Sequence, residues 1–197
     1  LLADERTRTI VRALADGSRR PSELETLQGI VRSTMYARLN ELAELGVVAT
    51  ERVTEFPLRV AYRLNDAARA ALAHELLIVR RERRTLARLG PGAEASLSNV
   101  LRLLAPVSRM PDDSSATCVL AEHEPPERAH AVPLNVENGR IALSDPPGPI
   151  MADARVRAAP EDWDDALLAG PSSVLWIRGD ERLAHTVVTA LGAPLRV

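Results

Sequence analysis

The sequence predicts an α+β chain in two parts, and three observations predict it. Apolar residues recur at helical spacing through the first 46 positions and then give way to strict alternation. A second group of short β-rich runs lies beyond residue 115, one pair of them joined by Asn138-Gly139. Between the two groups, at Gly90-Pro91-Gly92, the sign of the charge changes. Residues 1–90 hold 16 Arg against 12 Asp plus Glu, and residues 91–197 hold 9 against 15. Gly-Pro-Gly ends a helix and resists continuing it, so the expected domains are 1–90 and 91–197. A basic first part beside an acidic second part fits a polyanion-binding module joined to a domain that does not touch the polyanion.

Composition narrows the class. With 197 residues, 46% of them hydrophobic and 26% charged, the chain has the balance of a soluble globular protein. No apolar run approaches the roughly 18 residues needed to cross a bilayer, and Leu1-Leu2-Ala3-Asp4-Glu5-Arg6 turns charged too early for a signal peptide. The expectation is a cytoplasmic protein with no membrane partner. A single cysteine, Cys118, excludes an internal disulfide and a multi-cysteine zinc site. There is no lysine, so every basic contact must be made by arginine. Aromatics are 3%, which leaves the core to Leu, Val, Ala and Ile.

In the first part, Ile10, Val11 and Leu14 mark a helix that stops at Asp16-Gly17. Arg19, Arg20 and Pro21 connect it to a second, short helix that opens on a capping box, Ser22-Glu23-Leu24-Glu25, and runs no further than Leu27. After Gln28-Gly29, the stripe Met35, Leu39 and Leu42 marks a third helix ending at Gly46. Rotation of about 100° per residue places Ser33, Ala37 and Asn40 opposite that stripe, with Tyr36 beside them. Asn40 carries the donor and acceptor pair suited to an adenine edge, Ala37 suits a thymine methyl, and Ser33 or Thr34 suits a phosphate or base. Arg32 and Arg38, nearer the buried edges, and Arg20 before the second helix are assigned to phosphates, where charge matters more than placement.

Val47 to Val53 is β-rich, and Leu58, Val60, Tyr62 and Leu64 alternate with Arg59, Ala61 and Arg63 as in a half-buried strand. The two runs form a hairpin, with Arg52 and Arg59 flanking its tip and Phe56 packed beneath it. Helix, turn, helix and hairpin make a winged helix. Ala67 to Leu89 is a long linking helix capped by Asn65 or Asp66, whose Arg80, Arg81, Arg83 and Arg84 read as a solvated face.

From Ile10 to Leu72 the chain resembles the HxlR-type winged helix-turn-helix transcriptional regulators. The resemblance is carried by Gly17, Arg20, Glu23-Leu24, Gly29-Ile30, Leu39, Leu42, Leu45-Gly46-Val47-Val48, Pro57, Val60, Tyr62 and Leu64, and chiefly by the closing P-x-x-V-x-Y-x-L. It implies double-stranded DNA as partner and a homodimer paired through the long helix; the alternative is that this helix packs only within its own chain. Val31 stands where the family often has Ser or Thr, which moves the expected helix cap to Ser33. An N-terminal cysteine often found in the family is missing, which argues against thiol sensing.

In the second part, Ala95 to Leu104 is helix-like. Strands are expected at Ala116 to Ala121, Ala131 to Val136, Arg140 to Leu143, Ala154 to Ala158 and Val174 to Ile177, and helices at Pro160 to Leu168 and Asp180 to Leu191. The series Asn138-Gly139-Arg140, Ala152 to Val156, Trp163, Leu167, Gly170 and Gly179-Asp180 resembles the sterol carrier protein-like fold. That resemblance implies a five-stranded sheet with helices enclosing an apolar tunnel, and in a regulator a sensor for a small hydrophobic ligand. Met110, Met151, Trp163 and Trp176 are the candidates for its lining, against the plainer reading that they fill the core. Asp162, Asp164 and Asp165 read as the wet face of a helix.

No nucleophile elbow, P-loop, dinucleotide fingerprint or paired zinc-binding histidine motif is present, so no enzyme, cofactor or metal is expected. Glu122-His123-Glu124 with His130 is better read as an exposed acidic loop than as a metal site. The sequence therefore points to a DNA-binding transcriptional regulator with a ligand-sensing C-terminal domain. The competing classes are a non-DNA protein-interaction module and a lipid or small-molecule carrier dimerised through its winged helix.

Overall fold

The computed structural model describes residues 4–27, 30–53, 59–87, 96–122, 131–144, 151–171 and 174–196. Contacts divide the chain into two compact units, Leu1–Arg69 and Ala70–Val197. The division falls inside the long helix; Gly90-Pro91-Gly92, where the sequence places it, lies outside the described residues, as do Gln28-Gly29, Phe56, His123 and His130.

In the first unit, helix α1 (Glu5–Ala15) begins at Asp4, whose carboxylate accepts from the Arg6 amide and the Thr7 hydroxyl. Its Ile10, Val11 and Leu14 are buried. Helix α2 (Pro21–Leu24) starts one residue before the expected capping box. Pro21 has no amide to satisfy and a backbone angle already suited to a first turn, so Arg20 becomes the cap residue. Glu23 then accepts from the Arg20 amide at 2.6 Å, a role the sequence reading gave to Glu25.

Helix α3 (Arg32–Glu44) is capped at Val31, not at Ser33. Val31 is extended, and its carbonyl already accepts from the Met35 amide at 2.9 Å, so Ser33 lies within the first turn. The far end closes in a Schellman motif: the Val47 amide reaches the Leu42 carbonyl and the Gly46 amide the Ala43 carbonyl, with Gly46 at φ +67°.

Strands β1 (Val48–Val53) and β2 (Arg59–Leu64) pair antiparallel from Val48↔Leu64 to Val53↔Arg59. Arg19 adds a bridge on the other edge of β2, exchanging two 2.8 Å backbone bonds with Tyr62. The expected alternation holds only at the root of this hairpin. Val48 and Leu64 are buried together there, whereas Val60, toward the tip and opposite exposed Arg52, is 44% exposed, and Ala61 is buried instead.

Helix α4 (Asp66–Ala87) is capped by Asn65, whose side chain accepts from the Ala68 amide at 2.6 Å. Arg69 is buried in the first unit and donates to the Leu14 and Ala15 carbonyls at the end of α1. From Ala70 onward α4 belongs to the second unit.

That unit continues with α5 (Leu97–Leu104), β3 (Ala116–Glu122), β4 (Ala131–Glu137), β5 (Arg140–Leu143), β6 (Ala154–Ala158), α6 (Pro160–Ala169), β7 (Trp176–Gly179) and α7 (Glu181–Gly192). The sheet order is β5-β4-β3-β6-β7, with β3 and β6 parallel and the other pairs antiparallel. Side chains alternate along each strand. Cys118, Leu120, Leu134, Val136 and Val156 are buried on one face, as are Leu101, Trp163, Leu167, Val187 and Leu191 on the helices.

Gly46 and Gly179 both have positive φ, but their surroundings differ. Nothing crowds a Cβ at Gly46, whereas one at Gly179 would collide with the Asp153 carbonyl. Gly46→Ala should therefore cost about 1–2 kcal/mol for left-handed backbone alone, and Gly179→Ala more. Denaturant unfolding of the two variants measures the difference; equal losses would show that the contact at Gly179 relaxes freely.

Candidate nucleic-acid interface

On α3, Met35, Leu39 and Leu42 are buried, and the opposite face presents Ser33, Ala37 and Asn40 to solvent. The physical cause is the 3.6-residue period. One apolar stripe anchors the helix in the core and leaves the other face free for contact. Thr34 and Tyr36 are half-buried at the margins of that face.

The arginines around α3 are held in different ways. Arg32 is largely exposed; its Nε lies 3.1 Å from Glu25 Oε1 and its guanidinium stands 5.9 Å from the Tyr36 ring centre. Arg38 is engaged on both sides, with Nη1 2.6 Å from Glu41 Oε2 and Nε 3.2 Å from Asp4 Oδ2. These carboxylates, Glu41 first, raise the Arg38 pKa. The Asp4 carboxyl is held below its usual range, first by the Thr7 hydroxyl and also by Arg38. Arg38 therefore ties the start of α1 to α3. Arg20 is half-buried at the cap of α2. Arg52 is exposed on β1, and Arg59 opens β2 opposite Val53.

Two connections in this unit were not foreseen. Arg19 joins the hairpin as a third strand position, and the Ser18 hydroxyl donates to Glu51 at 2.9 Å. Arg19 sits in a short polar linker with no strand pattern, so only the tertiary pairing reveals it.

The four candidates for a ligand tunnel fall into two groups. Met110 and Trp163 are buried, and Trp163 donates its indole N–H to the Ala121 carbonyl at 2.9 Å. Met151 is 96% exposed and Trp176 54% exposed. Those two lie on the surface rather than in the wall of an enclosed tunnel.

Two further expectations are corrected. Arg80, read as part of a solvated face, is 5% exposed, and Asp164, read as wet, is fully buried. The Arg80 Nε donates to Asp164 Oδ1 at 2.8 Å, and its guanidinium also pairs with buried Glu122. The helical period held the signal: Ala73, Leu77 and Arg80 share one stripe of α4, and Asp164 lies three residues before buried Leu167. Beside them Arg81 pairs with Asp165 at the surface. Among the described residues, no three His, Cys, Asp or Glu side chains gather as metal ligands. No helix among them is long and apolar enough to cross a membrane.

This arrangement of three helices and a pinned hairpin, with one face of α3 left open, is a winged helix-turn-helix. Residues 1–79 match the family described as HxlR-like helix-turn-helix. Among solved structures, the chain is similar to the reduced form of the transcriptional regulator YodB from B. subtilis, at 27% identity over 47% of this chain and 88% of that one, with a TM-score of 0.37. It is also similar to M. tuberculosis Rv0081, at 30% identity over 45% of this chain and 80% of that one, with a TM-score of 0.34. No curated protein matches the chain.

Replacing Arg80 by Met should destabilise the second unit by about 3–5 kcal/mol, because two buried carboxylates lose their cation. Urea unfolding followed by tryptophan emission measures it, and a loss below about 1 kcal/mol would show that the carboxylates escape to water. Burial pushes the Cys118 thiol up to about 12. Its thiolate is therefore scarce at pH 8, and a thiol reagent should label native protein far more slowly than unfolded protein. Because the folded pKa is raised, this group removes stability as pH climbs from 9 toward 12.

Proposed function

We propose that the chain is a sequence-specific DNA-binding transcriptional regulator, acting in the cytoplasm as a homodimer on two half-sites. The observation that carries this reading is the open face of α3, with Ser33, Ala37 and Asn40 exposed directly behind a fully buried stripe. The family match over residues 1–79 supports it. In this reading α3 lies in the major groove, Asn40 reads a base edge, and Ala37 and Tyr36 make apolar contacts there. Ser33 and Thr34 bond bases or phosphates. Arg20, Arg32, Arg52 and Arg59 neutralise phosphates. Arg38 joins them only by exchanging Asp4 or Glu41 for a phosphate, so its first role is to brace α3.

The C-terminal unit is read as a sterol carrier protein-like sensor of a small hydrophobic ligand. What supports this is a five-stranded sheet packed with helices, the architecture that resemblance implies. Met110 and Trp163 are the two candidates whose burial suits a lining. For a ligand to regulate, it must bind the DNA-bound and free forms with different affinity.

Selection of duplexes from a random pool by the full chain, followed by a salt titration on the selected sequence, tests the reading. A selected motif whose binding falls steeply with salt is expected; no enrichment would overturn it. Asn40→Ala should cost about 1–3 kcal/mol and relax preference at one base position. Arg52→Ala should weaken all sequences and reduce the salt slope by about 1. An Asn40 variant with unchanged preference would remove that residue from base reading.

A further inference from the structure

We propose that the outer edge of β7, with the open sheet face beside it, is a docking site for an acidic, extended peptide of a partner protein. The peptide adds to the five-stranded sheet as one more strand.

The two edges of this sheet are treated differently. At the β5 edge, Arg109 forms a bridge to Arg140, and the Met110 amide donates to the Gly139 carbonyl at 2.9 Å. Among the described residues, β7 pairs only with β6, so its second edge keeps a row of backbone donors and acceptors with no strand beside it. Proteins usually blunt such an edge with polar side chains. Here Trp176 is 54% exposed and Val174, two residues before it, 58%, while Ile177 between Trp176 and Arg178 is half-buried. An apolar edge left open suits a strand that arrives from outside.

Charge selects the strand. Residues 91–197 hold 9 Arg against 15 Asp plus Glu, yet the open face of β6 and β7 runs against that balance. Arg157 and Arg178 are both exposed, and the Arg157 guanidinium stands 5.5 Å from the centre of the Trp176 ring. The carboxylates next along the two strands are already spent: Asp153 Oδ2 accepts from the Thr117 amide at 2.8 Å and Asp180 Oδ1 from the Leu183 amide at 2.9 Å. Arg155 is engaged within the chain and plays no part in the site.

Side chains of an added strand alternate between the two faces of the sheet. On the open face, a carboxylate lies beside Arg178 and an apolar side chain beside Trp176; on the other face, a small apolar side chain meets Ile177. Opposite charges and aromatic contacts across strands are the pairs that stabilise a sheet, and Trp and Arg are the residues that most often dominate interface energetics. Duplex DNA suits the edge less well. It has no backbone amides at strand spacing, and its long run of charge would meet the acidic surroundings. A second copy also suits it less well, because β7 against β7 gathers Arg157 and Arg178 of both copies with no carboxylate to answer them.

A polarisation titration of the full chain against a fluorescein-labelled peptide in which glutamate alternates with valine tests the proposal, with lysine in place of glutamate as the control. The glutamate peptide should bind at least about tenfold more tightly than the lysine peptide, and its binding should weaken as salt rises. Trp163 is fully buried, so acrylamide quenching reports on Trp176, and the bound glutamate peptide should shield it. Arg178→Glu should invert the preference toward the lysine peptide, a gain that a misfolded variant could not produce. N-methylation of alternate peptide residues removes the backbone donors from one edge of the peptide. Of the two alternate patterns, one should abolish binding and the other spare it. Equal binding of the two peptides, no inversion in Arg178→Glu, or indifference to both methylation patterns overturns the proposal. Shielding of Trp176 by random-sequence duplex DNA, or by rising protein concentration alone, overturns it too and assigns the face to nucleic acid or to a second copy.

Discussion

A guanidinium leaves water only where acceptors replace the water it loses, and two of them on α4 govern how each unit closes. Arg69 does so against neutral groups. It donates to the carbonyls of Leu14 and Ala15 at the end of α1. Burial lowers its pKa, and the nearby Asp66 and Asp16 carboxylates offset that only in part. Arg80 does so against charge, between Asp164 and Glu122. The first arrangement closes the helical core of the winged helix. The second fastens the later turns of α4 to α6 and β3. Breaking either leaves a charge or a set of dipoles stranded, so both sites are sensitive in a way that a buried leucine is not.

The same economy shapes α3. Its apolar stripe is short, only Met35, Leu39 and Leu42, and its ends are set by Val31 and by the Schellman closure at Gly46. Neither end uses a side-chain cap. Position is fixed by that stripe, and from the flank Arg38 adds a tie to Asp4 at the start of α1. The contact face owes its orientation to groups that do not themselves belong to it.

Much of this was legible in the sequence. The helices of the first unit, the hairpin and all five strands of the second sheet follow from apolar period and from punctuation by Gly, Pro and Asn-Gly. Asn40, Ala37 and Ser33 were placed on an exposed face by rotation alone. What was not legible depended on tertiary partners. Arg80 and Asp164 look like ordinary surface charges until each is seen to need the other, and Arg19 reads as linker until Tyr62 pairs with it. Capping failed for a local reason, since Pro21 outranks Ser22 as the start of α2. Met151 and Trp176 were misplaced because large apolar side chains default to the interior in any sequence reading.

The pairing of Arg19 with Tyr62 gives β2 a neighbour on both edges at that rung, Arg19 by two backbone bonds and Thr50 by register. A one-residue slip of the hairpin would turn Leu64 to the opposite face and break the Arg19 pair in the same step. Chain added between the two strands disturbs neither. Each doubling of a flexible loop costs only about 0.6 kcal/mol in closure entropy. The reach of the wing is therefore a dimension that evolution or an engineer can lengthen and shorten freely, while the frame that aims α3 stays in register.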